Sequence, residues 1–331
     1  MIGYFTFEVP PVSKIQPHSS QLPDSQLPIT NTQRVRYLNL PQSQSQSPIF
    51  ASLGLILLLG LIIWQIPITL ESWQAKAAIP QPPEEEAQAL AFIEAVTAPS
   101  DCLISDDMPM SYWSGRLSPP ELAEVSTNRL DSGTLTTAQL IALTDQYDCQ
   151  VVAAVSNRIT KYLPDYIEWV EQKYLGRFHY GEDILYFAKR DTDPRPATSL
   201  RADFAGQLKL LGYTLPTNPS QMGDRVPVTL IWQAQTQPAA DYAIFAQLRD
   251  AANTVLANAD YQPYQGLLPT STWPAGAIIH TVTWLQLPTV IAPGSYNLYV
   301  GVYRPDNLER LPLQGDTSGE NALVLGPLTI Q

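Results

Sequence analysis

The stretch RVPVTLIWQA, residues 225–234, decides the fold of the C-terminal part of this chain. Val226, Val228, Leu230 and Trp232 recur at every second position, the period of a strand with one buried face. The same alternation returns in Tyr296, Leu298, Val300 and Val302. Working outward from it, residues 206–331 divide into strands separated by Pro, Gly and Asn turns, the pattern of an antiparallel sandwich. Eight strands are expected, at Gln207–Thr214, Arg225–Ala234, Asp241–Arg249, Thr254–Asp260, Ala277–Leu287, Ser295–Arg304, Leu308–Leu313 and Leu323–Ile330. They predict an Ig-like β-sandwich.

Upstream, residues 80–190 read as a small α/β domain. Pro80–Pro83 form a stiff spacer and Glu84–Glu86 follow where a helix N-terminus favours negative charge. Leu90, Ile93 and Val96 then recur at helical spacing. Cys102–Ser105 is a short buried strand ending in Asp106-Asp107. Thr136 and Gln139 form a capping box for a second helix, and Cys149–Val155 is a second buried strand. Strand, crossover helix, strand predicts a parallel, Rossmann-like layer. A helix over Asp165–Tyr174 and a hairpin around Gly181-Glu182-Asp183 close this unit, and residues 191–205, with Pro194 and Pro196, are read as the linker.

At the other end, Ile49–Leu70 is a run of apolar residues long enough, at about 33 Å of helix, to cross the hydrocarbon core of a bilayer. Residues 1–48, rich in Pro, Gln and Ser, have little apolar material to bury and are read as a disordered tail. Lys14, Arg34 and Arg36 precede the run and only Lys76 follows it closely, so the tail is expected to be cytoplasmic and the bulk of the chain extracytoplasmic. The lipid bilayer is thus the first expected partner. A net charge of -12 excludes nucleic acid as another, because phosphate-backbone affinity comes from Lys and Arg.

Chemistry is sparse. Asp106 and Asp107 at the carboxyl end of a strand lie where α/β sheets bind ligands, with Arg116 and Arg129 available to neutralise an anion. The alternative is that the two acids cap the loop that follows. No glycine-rich phosphate loop is present, His18, His179 and His280 are scattered, and no serine sits in a nucleophile elbow, so no catalytic residue, metal or cofactor is assigned. Cys102 and Cys149 each start a strand of the expected parallel pair. A disulfide between them is permitted in an exported domain, and two buried thiols are the alternative. Trp232, Trp273, Trp284, Tyr261 and Tyr264 suggest a carbohydrate platform. Trp232 is better placed in the core, whereas Trp273, in the loop Thr270–Pro274, is the preferred glycan candidate, set against the alternative of a loop tryptophan that closes the end of the sandwich.

Several motifs carry a resemblance. Asp106-Asp107, Tyr112-Trp113-Ser114-Gly115-Arg116, Pro119-Pro120-Glu121-Leu122-Ala123, Asn128-Arg129-Leu130-Asp131-Ser132-Gly133 and Trp169–Tyr174 follow the apolar run in the order found at the end of certain enzymes. Residues 50–190 resemble the C-terminal extracytoplasmic region of bacterial membrane glycosyltransferases of the GT-C, family 39 type, which are similar to dolichyl-phosphate-mannose protein mannosyltransferases. Residues 206–331, with Gly223-Asp224, Trp232, Pro269–Trp273 and Gly301–Pro305, look like the sandwich appended to some of them. The many transmembrane helices and the catalytic acids of that family have no counterpart in this chain. The resemblance therefore implies a non-catalytic protein, accessory to envelope glycan or glycoprotein assembly and working beside a polytopic glycosyltransferase. The competing expectation is an autonomous surface module that binds glycan or protein.

Overall fold

A computed structural model describes Gly60 and residues 82–190 and 195–331. The tail 1–48 and, Gly60 apart, the apolar run Ile49–Leu70 lie outside the described residues. Among the described residues no helix is long and apolar enough to span a membrane. The chain divides into two compact units, Met1–Ile79 and Pro80–Gln331, and every element below belongs to the second.

Helix α1 (Glu84–Val96) leads in directly after Pro83 and buries Ala89, Leu90, Phe92, Ile93 and Val96 on one side. It packs on a four-stranded sheet of β1 (Cys102–Ser105), β2 (Cys149–Ala153), β3 (Tyr174–Tyr180) and β4 (Asp183–Lys189), in the order β1-β2-β4-β3. The expected parallel layer is realised between β1 and β2 alone. The reason lies in the connections. β1 reaches β2 through α2 (Met108–Ser114), α3 (Thr127–Asp131) and α4 (Thr137–Gln146), long enough for a parallel crossover. The tight turn through Gly181, at φ +54, instead returns β3 onto β4 antiparallel, and β4 pairs antiparallel with β2. Between β2 and β3 the chain forms α5 (Arg158–Tyr162) and α6 (Pro164–Lys173).

The rest is all β. One sheet runs β10 (Ile278–Gln286), β7 (Arg225–Ala234), β6 (Leu208–Thr214), β5 (Thr198–Phe204); the other runs β12 (Leu323–Ile330), β11 (Gly294–Tyr303), β8 (Ala243–Arg249), β9 (Val255–Tyr261). All pairings within them are antiparallel. Their facing residues, among them Val226, Val228, Leu230, Trp232, Leu298, Val300 and Val302, are buried as a sandwich core. The strand count is eight, but one member differs from expectation. Leu308–Leu313 is a loop touched by two isolated bridges, since Leu308 takes a left-handed φ of +61 and Pro312 has no N–H to donate. Its place is taken by β5, within the expected linker, where Ala202 and Phe204 alternate inward and the Phe204 ring lies 5.6 Å from Trp232.

The mixed sheet and the sandwich are not separate bodies. Phe187 of β4 packs against Phe92 of α1 and against Tyr264, which follows β9, each at 4.9 Å between ring centroids. Trp284 of β10 donates its indole N–H to the Glu94 carbonyl of α1 at 2.8 Å. One hydrophobic core runs from α1 to β12.

Candidate functional site

Of the two acids singled out at the end of β1, Asp106 is engaged by the backbone. Asp106 is 1% exposed, and its carboxylate accepts four backbone N–H groups. Oδ1 takes those of Val155 and Ser156 at 2.9 and 3.0 Å, and Oδ2 those of Arg158 and Ile159 at 3.0 and 3.1 Å. It is a clasp on the loop from β2 into α5, with no lone pair left for a substrate. Asp107 faces Arg158 at 3.8 Å. Burial raises its carboxyl above the usual range, Arg158 opposes this, and Asp106 adds to it. Glu86 is raised as well, by burial and then by Asp107 and Asp183. Among the described residues no group of three or more His, Cys, Asp or Glu side chains has an arrangement that could hold a metal.

Arg116 and Arg129 do not join these acids. The Arg116 guanidinium is buried and satisfied by the Thr97 hydroxyl, and by the carbonyls of Ser114, Glu94 and Thr97, at 2.6 to 3.1 Å. It closes the C-terminus of α1, where unpaired carbonyls favour a cation. Burial lowers its pKa, while Asp101 and Glu94 act against that shift. Arg129 donates to the Glu121 and Glu124 carbonyls and pins the segment before α3. Trp273 is fully buried, with its indole N–H on the Leu268 carbonyl at 3.2 Å, so the preferred glycan candidate is a core residue. The short 3-10 turn Thr270–Thr272 folds it inward, and Thr270 anchors that turn through the Tyr242 N–H and the Ala240 carbonyl. Cys102 and Cys149 are bonded, Sγ to Sγ, across the parallel pair.

An arrangement with room for a ligand and with aromatic walls lies where the C-terminal end of α1 meets the edge of β10. A cleft of about 450 Å³ is lined there by Ala95, Val96, Arg225, Tyr261, Tyr264, Val282 and Trp284, with Gln262, Gln265 and Thr283 as neutral polar groups. Arg225, at the start of β7, lies over the Trp284 ring at 5.1 Å, and Arg116 approaches the same ring at 6.0 Å. The rim is unusual backbone. Tyr264, Gln265 and Gly266 take φ values of +51, +56 and +83, and only the last is a glycine. Left-handed L-residues cost about 1–2 kcal/mol each and persist where their surroundings hold them. Here the hold is visible: the Tyr264 hydroxyl donates to the His280 carbonyl, and its ring packs on Phe187.

Three of the five aromatics read from the sequence as a platform, Trp284, Tyr261 and Tyr264, thus line one cleft, while Trp232 and Trp273 are core. Arg225, Gln262 and Gln265 were missed. A signal existed in Trp284, which with Ile278 and Val282 makes the face of β10 opposite Thr283 and Leu285 apolar as well, and in the Pro263–Gly266 turn beside it.

No family model matches the chain, and no curated protein does. Solved structures similar to part of it include the C-terminal domain of wzt, at 11% identity over 40% of this chain and 81% of that one, with a TM-score of 0.28. A beta-glucuronidase from glycoside hydrolase family 2 is 10% identical over 45% of this chain and 14% of its own, with a TM-score of 0.24. A glycoside hydrolase family 2 member from Bacteroides cellulosilyticus DSM 14838 is 9% identical over 46% of this chain and 18% of its own, also with a TM-score of 0.24. None of the three is a transferase of the GT-C type, and likenesses this slight say nothing about chemistry.

Proposed function

We propose that this chain is a non-catalytic, membrane-anchored extracytoplasmic protein that binds saccharide in the cleft between α1 and β10, as an accessory to envelope glycan or glycoprotein assembly. The observation that carries the binding part is the cleft itself. Two half-buried aromatics, Trp284 and Tyr261, stand beside the exposed amides of Gln262 and Gln265, on a rim whose shape is fixed before any ligand arrives. Aromatic and amide groups together suit a ligand with apolar ring faces and many hydroxyls. Asp106, the acid best placed for chemistry on the sequence, is fully engaged in holding a loop, which favours binding over catalysis. The anchor at Ile49–Leu70, the extracytoplasmic placement of residues 80–331 and a polytopic glycosyltransferase partner extend this reading. They rest on the apolar run and on the motif resemblance.

The test is binding by the full chain in detergent to an array of bacterial envelope oligosaccharides, followed by titration of the best ligand against indole fluorescence. Replacing both Gln262 and Gln265 with Ala is expected to weaken that ligand about tenfold, the worth of one or two neutral hydrogen bonds, with an unchanged thermal midpoint. Absence of binding to every saccharide would sink the proposal.

A further inference from the structure

Resting on the reading of the cleft as a saccharide site, we infer that its ligand is an acidic saccharide, one bearing a carboxylate or phosphate group that pairs with Arg225. Three observations converge on it. First, the chain carries 31 acidic and 19 basic residues, yet the cleft lining holds one Arg and neither Asp nor Glu. A lining of that sign runs against the composition of the whole molecule.

Second, the two arginines at Trp284 are not equivalent. Arg116 is buried, spends its donors on four protein acceptors and has Asp101 and Glu94 acting on its charge. Arg225 is exposed and, among the described residues, its side chain has no hydrogen bond or ion pair; its guanidinium lies over the Trp284 ring. Three carbonyls at the C-terminal end of α1, which would otherwise attract a cation, are engaged. The Glu94 carbonyl accepts from Trp284 and Arg116, that of Thr97 from Arg116, and that of Ile93 from the Thr97 hydroxyl. The charge of Arg225 is therefore left for something that arrives from solution.

Third, Arg225 is held as a reader rather than as a loose surface group. It starts β7, paired with Gln286 of β10, and its guanidinium is laid on a ring whose own edge is fixed to Glu94. Ordering the fork in advance lowers the entropy lost when a carboxylate or phosphate docks on it. The amides of Gln262 and Gln265 lie in the same lining and supply neutral donors and acceptors for the hydroxyls of the same sugar.

The experiment uses the full chain in detergent and calorimetric titration with four probes: a galacturonate trisaccharide, the matching neutral galactose trisaccharide, glucose 1-phosphate and glucose. At least one acidic probe is expected to bind about tenfold or more tightly than its neutral counterpart, the range of a charge-assisted hydrogen bond. The preference should shrink as salt rises, because Arg225 is exposed. Arg225→Gln should abolish the preference, bringing acidic and neutral probes to the same affinity, and Arg225→Lys should keep part of it. Preference for galacturonate alone identifies a uronate-type glycan, and preference for glucose 1-phosphate alone identifies a sugar phosphate. Either supports the inference. Equal affinity for acidic and neutral probes, or a preference that survives Arg225→Gln, would overturn it and leave the saccharide cleft standing. Failure of all four probes and of the wider array would remove the cleft reading along with it.

Discussion

At the scale of single residues, the lesson of this chain is how a carboxylate can look like a ligand group and be architectural. Asp106 sits at the end of a buried strand, where a ligand site is reasonable on sequence. The sequence cannot show that Val155, Ser156, Arg158 and Ile159, some fifty residues downstream, bring their N–H groups to it. A carboxylate with four such donors stabilises the fold through charge-assisted bonds that an amide matches only in part. Asp106→Asn keeps one acceptor oxygen and turns the other into a donor facing donors, so it should cost about 3 kcal/mol in urea unfolding. A loss below about 1 kcal/mol would mean that the clasp matters little. Arg116 and Trp273 failed as ligand candidates for a related reason. Pairing and burial of a long side chain depend on neighbours distant in sequence: Glu94 and Thr97 for Arg116, and for Trp273 the residues Ala240 and Tyr242 that hold the Thr270 turn. Trp284 and Tyr261 were visible as aromatics, but their convergence depends on the position of α1.

Elements were more legible than residues, because they rest on periodicity within one segment. Arg225–Ala234 forms as written, the capping box at Thr136 and Gln139 closes as written, and the hairpin at Gly181 turns where its residues require. The errors came where local signals compete. Proline near β5 hid the alternation of Ala202 and Phe204 behind a linker composition, and the apolar ends of Leu308–Leu313 imitated a strand. Strand starts also placed Cys102 and Cys149 side by side, and their bond crosslinks β1 to β2 over a separation of 47 residues. A loop of that length, once closed, restricts the unfolded chain enough to stabilise the fold by about 4 kcal/mol in the chain-entropy account. Replacing both cysteines with serine should lower stability by about that amount in chemical denaturation. Denatured, unreduced protein should react with no thiol reagent, and two reactive thiols per chain would contradict the bond.

For the molecule as a whole, two domains joined by a linker is the natural reading of the composition, and the packing is otherwise. Phe92, Phe187 and Tyr264 place the mixed sheet and the sandwich on one core. Residues 82–331 should therefore melt in a single transition, with calorimetric and van't Hoff enthalpies in agreement. Two resolved transitions, one following far-UV helix signal and the other near-UV tryptophan signal, would show that the shared core does not couple them. The same junction makes the cleft a property of both parts, since α1 supplies one wall and β10 with the β9 turn supplies the other. That has a consequence for descent. A sandwich moved by recombination onto another protein would carry Tyr264 and Trp284 away without Phe187 and Glu94, arriving with an apolar scar and half a cleft. The heritable module here is the pair, and relatives that share this cleft should carry both halves in this order, without an intervening insertion between β4 and β5 long enough to let them part.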